Sequence, residues 1–105
     1  MGQVQANNTR MPEPSVVVRA MGDIDQAATD QLRRTLVRAI MHEPTRRIVI
    51  DLDGVTALDA MTIGMLQAAA TTAEDMDRSL VFHTSGSSLA ERLSREGILD
   101  SRIAN

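Results

Sequence analysis

Residues 48–66 read IVIDLDGVTALDAMTIGML, and this stretch decides the fold. Its first part, Ile48–Leu52, is an almost unbroken apolar run, as in a strand that is buried on both faces. The Asp-Gly pair at 53–54 predicts a turn, and residues 55–58 return towards the core. From Ala60 to about Asp75 the apolar residues have helical spacing. A strand followed closely by a helix is the unit from which parallel sheets are built.

The flanking segments repeat this alternation of short strands and amphipathic helices. Strands are predicted at 15–20 and 80–82, and helices at Gln26–His42 and Ser88–Arg95. Pro44 is expected to end the first helix and Gly97 to cap the last, and residues 98–103 predict one more short strand. Crossover helices between successive strands require a largely parallel sheet. The sequence therefore predicts a single α/β domain with a mostly parallel sheet of four or five strands and about three helices.

The chain of 105 residues has the length of one domain. Residues 1–14 are polar and contain two prolines near their end, which predicts a flexible N-terminal arm before the domain at 15–105. A short edge strand near Gln3–Gln5 is the one regular element expected in this arm. No apolar run resembles a signal peptide or a membrane span, so we expect a cytoplasmic location without membrane insertion.

The composition excludes several classes of function. The chain has no Cys, and all 11 of its basic residues are Arg, which removes thiolate chemistry, disulfides and every mechanism that needs a lysine amine. Its net charge of -3 provides no basic field for nucleic acid or anionic lipid. His42 and His83 lack carboxylate or Cys neighbours at ligand spacing, so the sequence predicts no metal site and no cofactor.

Acidic side chains concentrate in two predicted loops, Gly22–Asp25 and Gly54–Thr62. Both follow strands at the carboxyl edge of the sheet, where parallel sheets bind ligands and partners. Asp25 and Asp59 each stand directly before a helix, where a carboxylate caps free N–H groups. We therefore expect function at this edge.

Asp51, Asp53 and Gly54 resemble the first motif of haloacid-dehalogenase-like phosphatases, in which the first Asp attacks phosphorus. That family also requires a downstream Lys, which this chain lacks, and far more chain than the 51 residues that follow Gly54. A strand end followed by a turn explains the same residues more simply. No enzymatic activity is predicted.

Taken in order, GDID at 22–25, the first helix, IVIDLDGV at 48–55 and LDAMTIGML at 58–66 resemble the STAS domains of bacterial anti-sigma factor antagonists. The resemblance extends from about Ser15 to Gly97. It implies a sheet with helices on one side and a second helix whose start is exposed to a partner. In that family the partner is an anti-sigma factor that is also a serine kinase of the GHKL ATPase type. It phosphorylates the Ser after the Asp, which adds about -1.5 to -2 charges to the contact surface.

The chain departs from this pattern at the modified position. Ala60 stands where the family has its Ser, and Thr62 stands where it has Gly. The resemblance therefore implies a retained partner surface without the usual switch, formed by Asp25, Asp59, Ala60, Met61, Thr62, Gly64 and Met65. Thr62 is the nearest hydroxyl and a candidate substitute for phosphorylation, although a Thr at a helix start more often bonds to the backbone. Met61 and Met65 either pack half-buried or form an adaptable contact patch.

Two functions remain open at this point. The first is partner switching as an anti-sigma factor antagonist. The second is an adaptor or scaffold subunit of a stress-sensing complex or of a lipid transporter, since STAS-like domains occur in both and Ala60 suits a role without phosphorylation. The resemblance is also compatible with a homodimer. Arg33, Arg34 and Arg38 form a solvated basic face of the first helix, which could take part in a contact.

Overall fold

The computed structural model describes residues 2–9, 15–42 and 46–104. Its elements in chain order are β1 (Gln3–Thr9), β2 (Ser15–Asp23), α1 (Gln26–His42), β3 (Arg47–Ala57), α2 (Ala60–Asp75), β4 (Ser79–His83), α3 (Ser87–Arg95), a 3₁₀ turn (Asp100–Arg102) and β5 (Ile103–Ala104). The strands form one sheet in the order β1-β2-β3-β4-β5. β1 is antiparallel to β2, and the other neighbouring strands are parallel. This architecture confirms the predicted mostly parallel α/β domain.

The helices pack on one face of the sheet. On that face Val18, Ile50 and Phe82 from β2, β3 and β4 are fully buried, together with Leu32 of α1 and Leu66 of α2. Removing this apolar surface from water is the main stabilising contribution to the fold. Phe82 is the one aromatic residue in the chain, so aliphatic side chains fill the rest of the core.

The prediction that Ile48–Leu52 is buried on both faces is wrong. Val49 and Asp51 point to the opposite face and are only half-buried. Strand pairing places Val49 in register between Val17 and Val81, which forms a row of valines across this open face. The apolar run arose because β-branched residues also favour strand positions on a partly exposed face.

β2 and β3 run past the glycines that predicted their ends. Gly22 lies within β2 at a φ of 79°, and Gly54 lies within β3. The strands stay paired at Met21–Gly54, Gly22–Val55 and Asp23–Ala57. The register shifts once before Met21–Gly54 and once more between Gly22–Val55 and Asp23–Ala57. The first residues of the predicted loops Gly22–Asp25 and Gly54–Thr62, up to Asp23 and Ala57, are therefore strand. Turn-favouring residues serve an irregular pairing here and not a chain reversal.

The N-terminal arm contributes a longer strand than the one predicted near Gln3–Gln5. β1 pairs with β2 over seven residue pairs, from Gln3–Met21 to Thr9–Ser15. Residues 1 and 10–14 of the arm lie outside the described residues, as does Pro44, the predicted end of α1. The boundary between arm and domain at residue 15 stays a prediction.

The segment after α3 differs from the predicted strand over 98–103. α3 begins at Ser87, one residue before the predicted start, and it ends in a turn in which Gly97 has a φ of 107°. The N–H of Ile98 donates to the carbonyl of Leu93 at 3.0 Å, and both side chains are buried. This is the pattern of a helix end closed by a left-handed residue, as predicted for Gly97. Because Ile98 turns into the core there, only the two residues of β5 join the sheet.

Replacing Gly97 with Ala should destabilise the fold by about 1–3 kcal/mol, because Ala is strained at a φ in the left-handed region. The added Cβ would also lie 2.9 Å from Nε2 of Gln67. Urea denaturation followed by circular dichroism measures the effect. Gly86→Ala is the matched control, since Gly86 precedes the same helix at a φ of -92° and its Cβ would have its nearest neighbour at 3.9 Å. Equal losses in the two variants would contradict this account.

Candidate functional site

Two short links lead from strands to helices at the carboxyl edge of the sheet. Asp25 ends the first link and Asp59 the second. Oδ1 of Asp25 accepts a hydrogen bond from the N–H of Ala28 at 2.9 Å, and Oδ1 of Asp59 accepts one from the N–H of Thr62 at 2.7 Å. Each bond satisfies an N–H group that the first turn of a helix leaves free. The predicted capping roles of Asp25 and Asp59 are confirmed.

The starts of α1 and α2 are also joined to each other. The hydroxyl oxygens of Thr29 and Thr62 lie 2.8 Å apart. Below them, the N–H of Ile24 donates to the carbonyl of Ala57 at 2.9 Å, which ties the two links together. The two helix starts therefore form one platform that is held by bonds from both segments.

The exposed part of this platform is the first turn of α2. Met61 is 84% exposed, Ala60 and Gly64 are exposed, and Met65 is half-buried. Thr62 is only 1% exposed, and its hydroxyl is bonded to Thr29. The structure thus brings the predicted contact residues together at one edge, with Thr62 turned inwards. That they bind a partner stays a prediction.

Packing against the described residues does not require a glycine at position 64. A Cβ at this position would have no neighbour within 4 Å, whereas Gly inside a helix costs about 1 kcal/mol relative to Ala. The next exposed side chains of α2, Gln67, Ala68, Thr71 and Thr72, are uncharged, and the charged residues Glu74 and Asp75 follow only at its end. The exposed face of α2 is therefore uncharged from Met61 to Thr72 and has no side chain at Gly64.

Asp59 is held in its charged form by its surroundings. Hydrogen bonding from Thr62, through its side chain and its backbone N–H, lowers the pKa of Asp59 from 3.8, and the positive charge of Arg92 lowers it further. Arg92 lies on α3, where its Nε is 2.8 Å from Oε2 of Glu96. Sequence reasoning missed Arg92, because only the fold brings α3 to the start of α2.

A second polar cluster lies on the open face of the sheet. Asp51, Asp53 and His83 each offer a ligand atom within 4.8 Å of the others. The expectation that His83 lacks a carboxylate neighbour is wrong, because parallel pairing places His83 opposite Asp51. Spacing along the chain carries no signal for a contact that depends on strand register.

The cluster's carboxylates are already engaged. Nε2 of His83 lies 3.2 Å from Oδ2 of Asp53, and the N–H of Ser85 donates to Oδ1 of Asp53 at 2.5 Å. The bond from Ser85, with a smaller contribution from His83, lowers the pKa of Asp53. Nε of Arg19 lies 3.2 Å from Oδ2 of Asp51. Two carboxylates and an imidazole in this arrangement could coordinate a cation. In this structure their hydrogen bonds and ion pairs instead tie β4 and the segment after it to β3.

Residues 7–100 match the model of one protein family, which is described as MlaB, STAS domain. A comparison with curated proteins finds no significant match. The family match spans most of the chain and includes both helix starts and the polar cluster.

Solved structures with the same fold include SpoIIAA, described as an anti-sigma factor antagonist. Its unphosphorylated form superposes with a TM-score of 0.75 at 16% identity, over 95% of this chain and 86% of that one. The phosphorylated form of the Bacillus protein gives a TM-score of 0.73 at 16% identity, over 95% and 89% of the two chains. A serine-to-glutamate variant of RsbS from Moorella thermoacetica gives 0.79 at 20% identity, over 97% and 84%. At these identities the likeness shows a shared fold.

The same fold occurs inside a much larger membrane protein. A murine anion transporter of the Solute Carrier 26 family superposes with a TM-score of 0.70 at 15% identity, over 97% of this chain but only 20% of the transporter. Within the described part of our chain, no helix combines the length and the apolar character needed to cross a membrane.

Replacing Asp59 with Ala should lower the midpoint of thermal unfolding at pH 7 by roughly 4–8 °C, because the cap of α2 is lost. The folded chain lowers the pKa of Asp59, so the carboxylate stabilises the fold above its unfolded pKa, and this contribution disappears as the pH falls through the folded pKa. The difference between wild type and variant should therefore shrink below about pH 4. Thermal scans between pH 3 and pH 7 measure it.

Asp59→Asn is the control for this experiment, because Asn caps a helix about as well but does not ionise. Its midpoint should stay close to that of the wild type at pH 7. A difference between wild type and Asp59→Ala that does not change with pH would contradict the assigned role of the carboxylate.

Proposed function

The chain belongs to the family of MlaB STAS domains, and from this premise we propose that it is a non-catalytic regulatory module that binds another protein. The contact lies at the start of α2. Its surface is formed by the exposed residues Ala60, Met61 and Gly64, with Asp25, Asp59 and the half-buried Met65 at its border. Thr62 supports this surface from below.

The observation that carries the proposal is the exposed, uncharged first turn of α2 on a platform that is already rigid. Met61 exposes 84% of its surface, although a methionine side chain gains by burial. A flexible thioether of this kind adapts well to a partner surface. Since the Thr29–Thr62 bond and the cap of Asp59 fix the backbone, a partner binds here without ordering the helix start.

The partner that we propose is an anti-sigma factor of the GHKL ATPase type that is also a serine kinase. The support is the shared fold with SpoIIAA, which is named an anti-sigma factor antagonist, together with the match of the motifs at both helix starts. Capture of the anti-sigma factor by this surface would release the sigma factor that it holds.

Control by serine phosphorylation is absent from the proposed mechanism. SpoIIAA is known in a phosphorylated and an unphosphorylated form, but Ala60 has no hydroxyl that could accept a phosphate. The hydroxyl of Thr62 is buried against Thr29, so a kinase would have to open the start of α2 to reach it. We therefore propose a contact that is permanently competent, in a protein of the cytoplasm.

An adaptor or scaffold role is the second candidate function. It has specific support, because the fold also forms one fifth of a murine membrane transporter and because Ala60 suits a contact that is never switched. In this case the same surface of α2 would hold a subunit of a stress-sensing complex or of a lipid transporter.

Replacing Met61 with Asp should weaken binding of the anti-sigma factor by about tenfold or more, because a charge would be buried at the centre of the contact. Biolayer interferometry with each purified GHKL-type anti-sigma factor encoded by the same genome measures the affinity. Met76→Asp is the matched control, since Met76 is 40% exposed at the opposite end of α2.

Equal affinities of wild type and Met61→Asp would contradict the proposed site. Binding to none of these anti-sigma factors, combined with co-purification with a membrane ATPase that Met61→Asp abolishes, would favour the adaptor role. Analytical ultracentrifugation of the free chain decides whether it is a homodimer.

The Ala60→Ser variant should accept one phosphate from the bound kinase and ATP, whereas the wild type should accept none. The substitution places a hydroxyl on the exposed first turn of α2, directly after the capping Asp59. Intact-mass measurement followed by peptide fragmentation locates the phosphate. Phosphate on Thr62 of the wild type, absent from Thr62→Val, would contradict the permanently competent contact and confirm Thr62 as the acceptor.

A further inference from the structure

The outer faces of α1 and α2 form an apolar groove. Its volume is about 200 Å³, and its lining includes Arg33, Val37, Met41, Met65, Ala69 and Thr72. We call this feature the α1–α2 groove. It lies beside the start of α2 but continues along both helices, over a length of about 12 Å on α1 from Arg33 to Met41.

Exposed apolar side chains lie along the α1 wall of the groove. Val37 is 52% exposed and Met41 is 49% exposed, although both sit one helical turn apart on the same face of α1. Across the groove, Met65 and Ala69 are half-buried and also one turn apart on α2. These four side chains form one contiguous apolar strip along the groove.

The dimensions of the groove select the kind of occupant. About 200 Å³ is below the 300–1,000 Å³ or so of typical small-molecule pockets. Two parallel rows of side chains with a spacing of one turn match instead the anchors of an amphipathic helix, which repeat every three to four residues.

The charges at the rims of the groove differ between the two helices. On the α1 side Arg33 lines the groove, and Arg34 and Arg38 are exposed beyond the lining, on the solvent side of the same helix. Arg33 is 2.9 Å from Asp30, but neither Arg34 nor Arg38 forms an ion pair with another described residue. The α2 side has no charged residue between Ala60 and Ala73. In a chain of net charge -3, this basic rim selects an acidic occupant on one side only.

We propose that the α1–α2 groove binds an amphipathic helical segment of a partner protein, whose apolar stripe fills the groove and whose acidic residues face Arg34 and Arg38. This goes beyond the function proposed above, because it assigns a second surface, which shares Met65 with the first, and the chemistry of what binds there. The asymmetry of the rims also orients the segment, with its acidic flank towards α1 and its neutral flank towards α2.

NMR signals of the methionine methyl groups can report binding of a peptide to the groove. A synthetic amphipathic peptide of about 18 residues, with Leu at helical spacing and Glu on one flank, is titrated into the full chain labelled with ¹³C at its Met methyl groups. We expect saturable shifts of Met41 and Met65 and no shift of Met76. A peptide with Lys in place of Glu should bind about tenfold more weakly.

Two variants test the two features of the groove. Val37→Asp, which places a charge in the apolar lining, should weaken binding of the Glu peptide by about tenfold or more. The double variant Arg34→Glu with Arg38→Glu should have a similar effect and should remove the preference for the Glu peptide. Arg95→Glu is the matched control, because Arg95 is exposed on α3 away from the groove, and it should leave affinity unchanged.

Several outcomes would overturn the proposal. They are the absence of saturable shifts, equal binding of the Glu and Lys peptides, or shifts centred on Met76. Dimerisation of the free chain that Val37→Asp abolishes would assign the groove to a second copy. Shifts of Met41 and Met65 with phosphatidylglycerol vesicles, but not with the peptide, would assign it to a membrane surface. The experiment contains no anti-sigma factor or kinase, so its result is independent of the function proposed above.

Discussion

The parallel pairing of β2 with β3 is the constraint on which the rest of the molecule depends. These two strands continue past the end of β4, which stops at His83. The backbone bond from Ile24 to Ala57 closes this extension, and each strand then passes into its helix within two residues. The register of one strand pair therefore decides the distance between two helix starts, and with it the shape of the platform that they form.

A structural feature could be predicted from the sequence when the residues that form it lie close together along the chain. The order of strands and helices and the caps at Asp25 and Asp59 follow from residues within about four positions of each other, and these predictions hold. The contacts of Asp53 with His83 and of Asp59 with Arg92 could not be predicted in this way. They form only through strand pairing and helix packing between distant parts of the chain. The predicted turns at the two glycines failed for another reason, since an irregular strand pairing uses the same residues as a turn.

The aspartates near the carboxyl edge of the sheet form two separate groups in the structure. Asp25 and Asp59 serve the helices, where they accept backbone N–H groups. Asp51 and Asp53 point to the open face and bond to Arg19, His83 and Ser85. An aspartate thus caps a helix where it stands in the link before that helix, and it holds a neighbouring segment where it projects from a strand. Only the first pair borders the surface that we assign to a partner.

Gly64 lowers the stability of α2 without a packing reason of its own. Nothing among the described residues occupies the space above it, and a helix gains about 1 kcal/mol when Ala replaces an internal Gly. Screening variants for heat resistance alone would therefore replace this glycine early, whereas screening for partner capture would retain it. In the contact that we propose, the chain gives up some of its own stability at this residue to leave room for the partner.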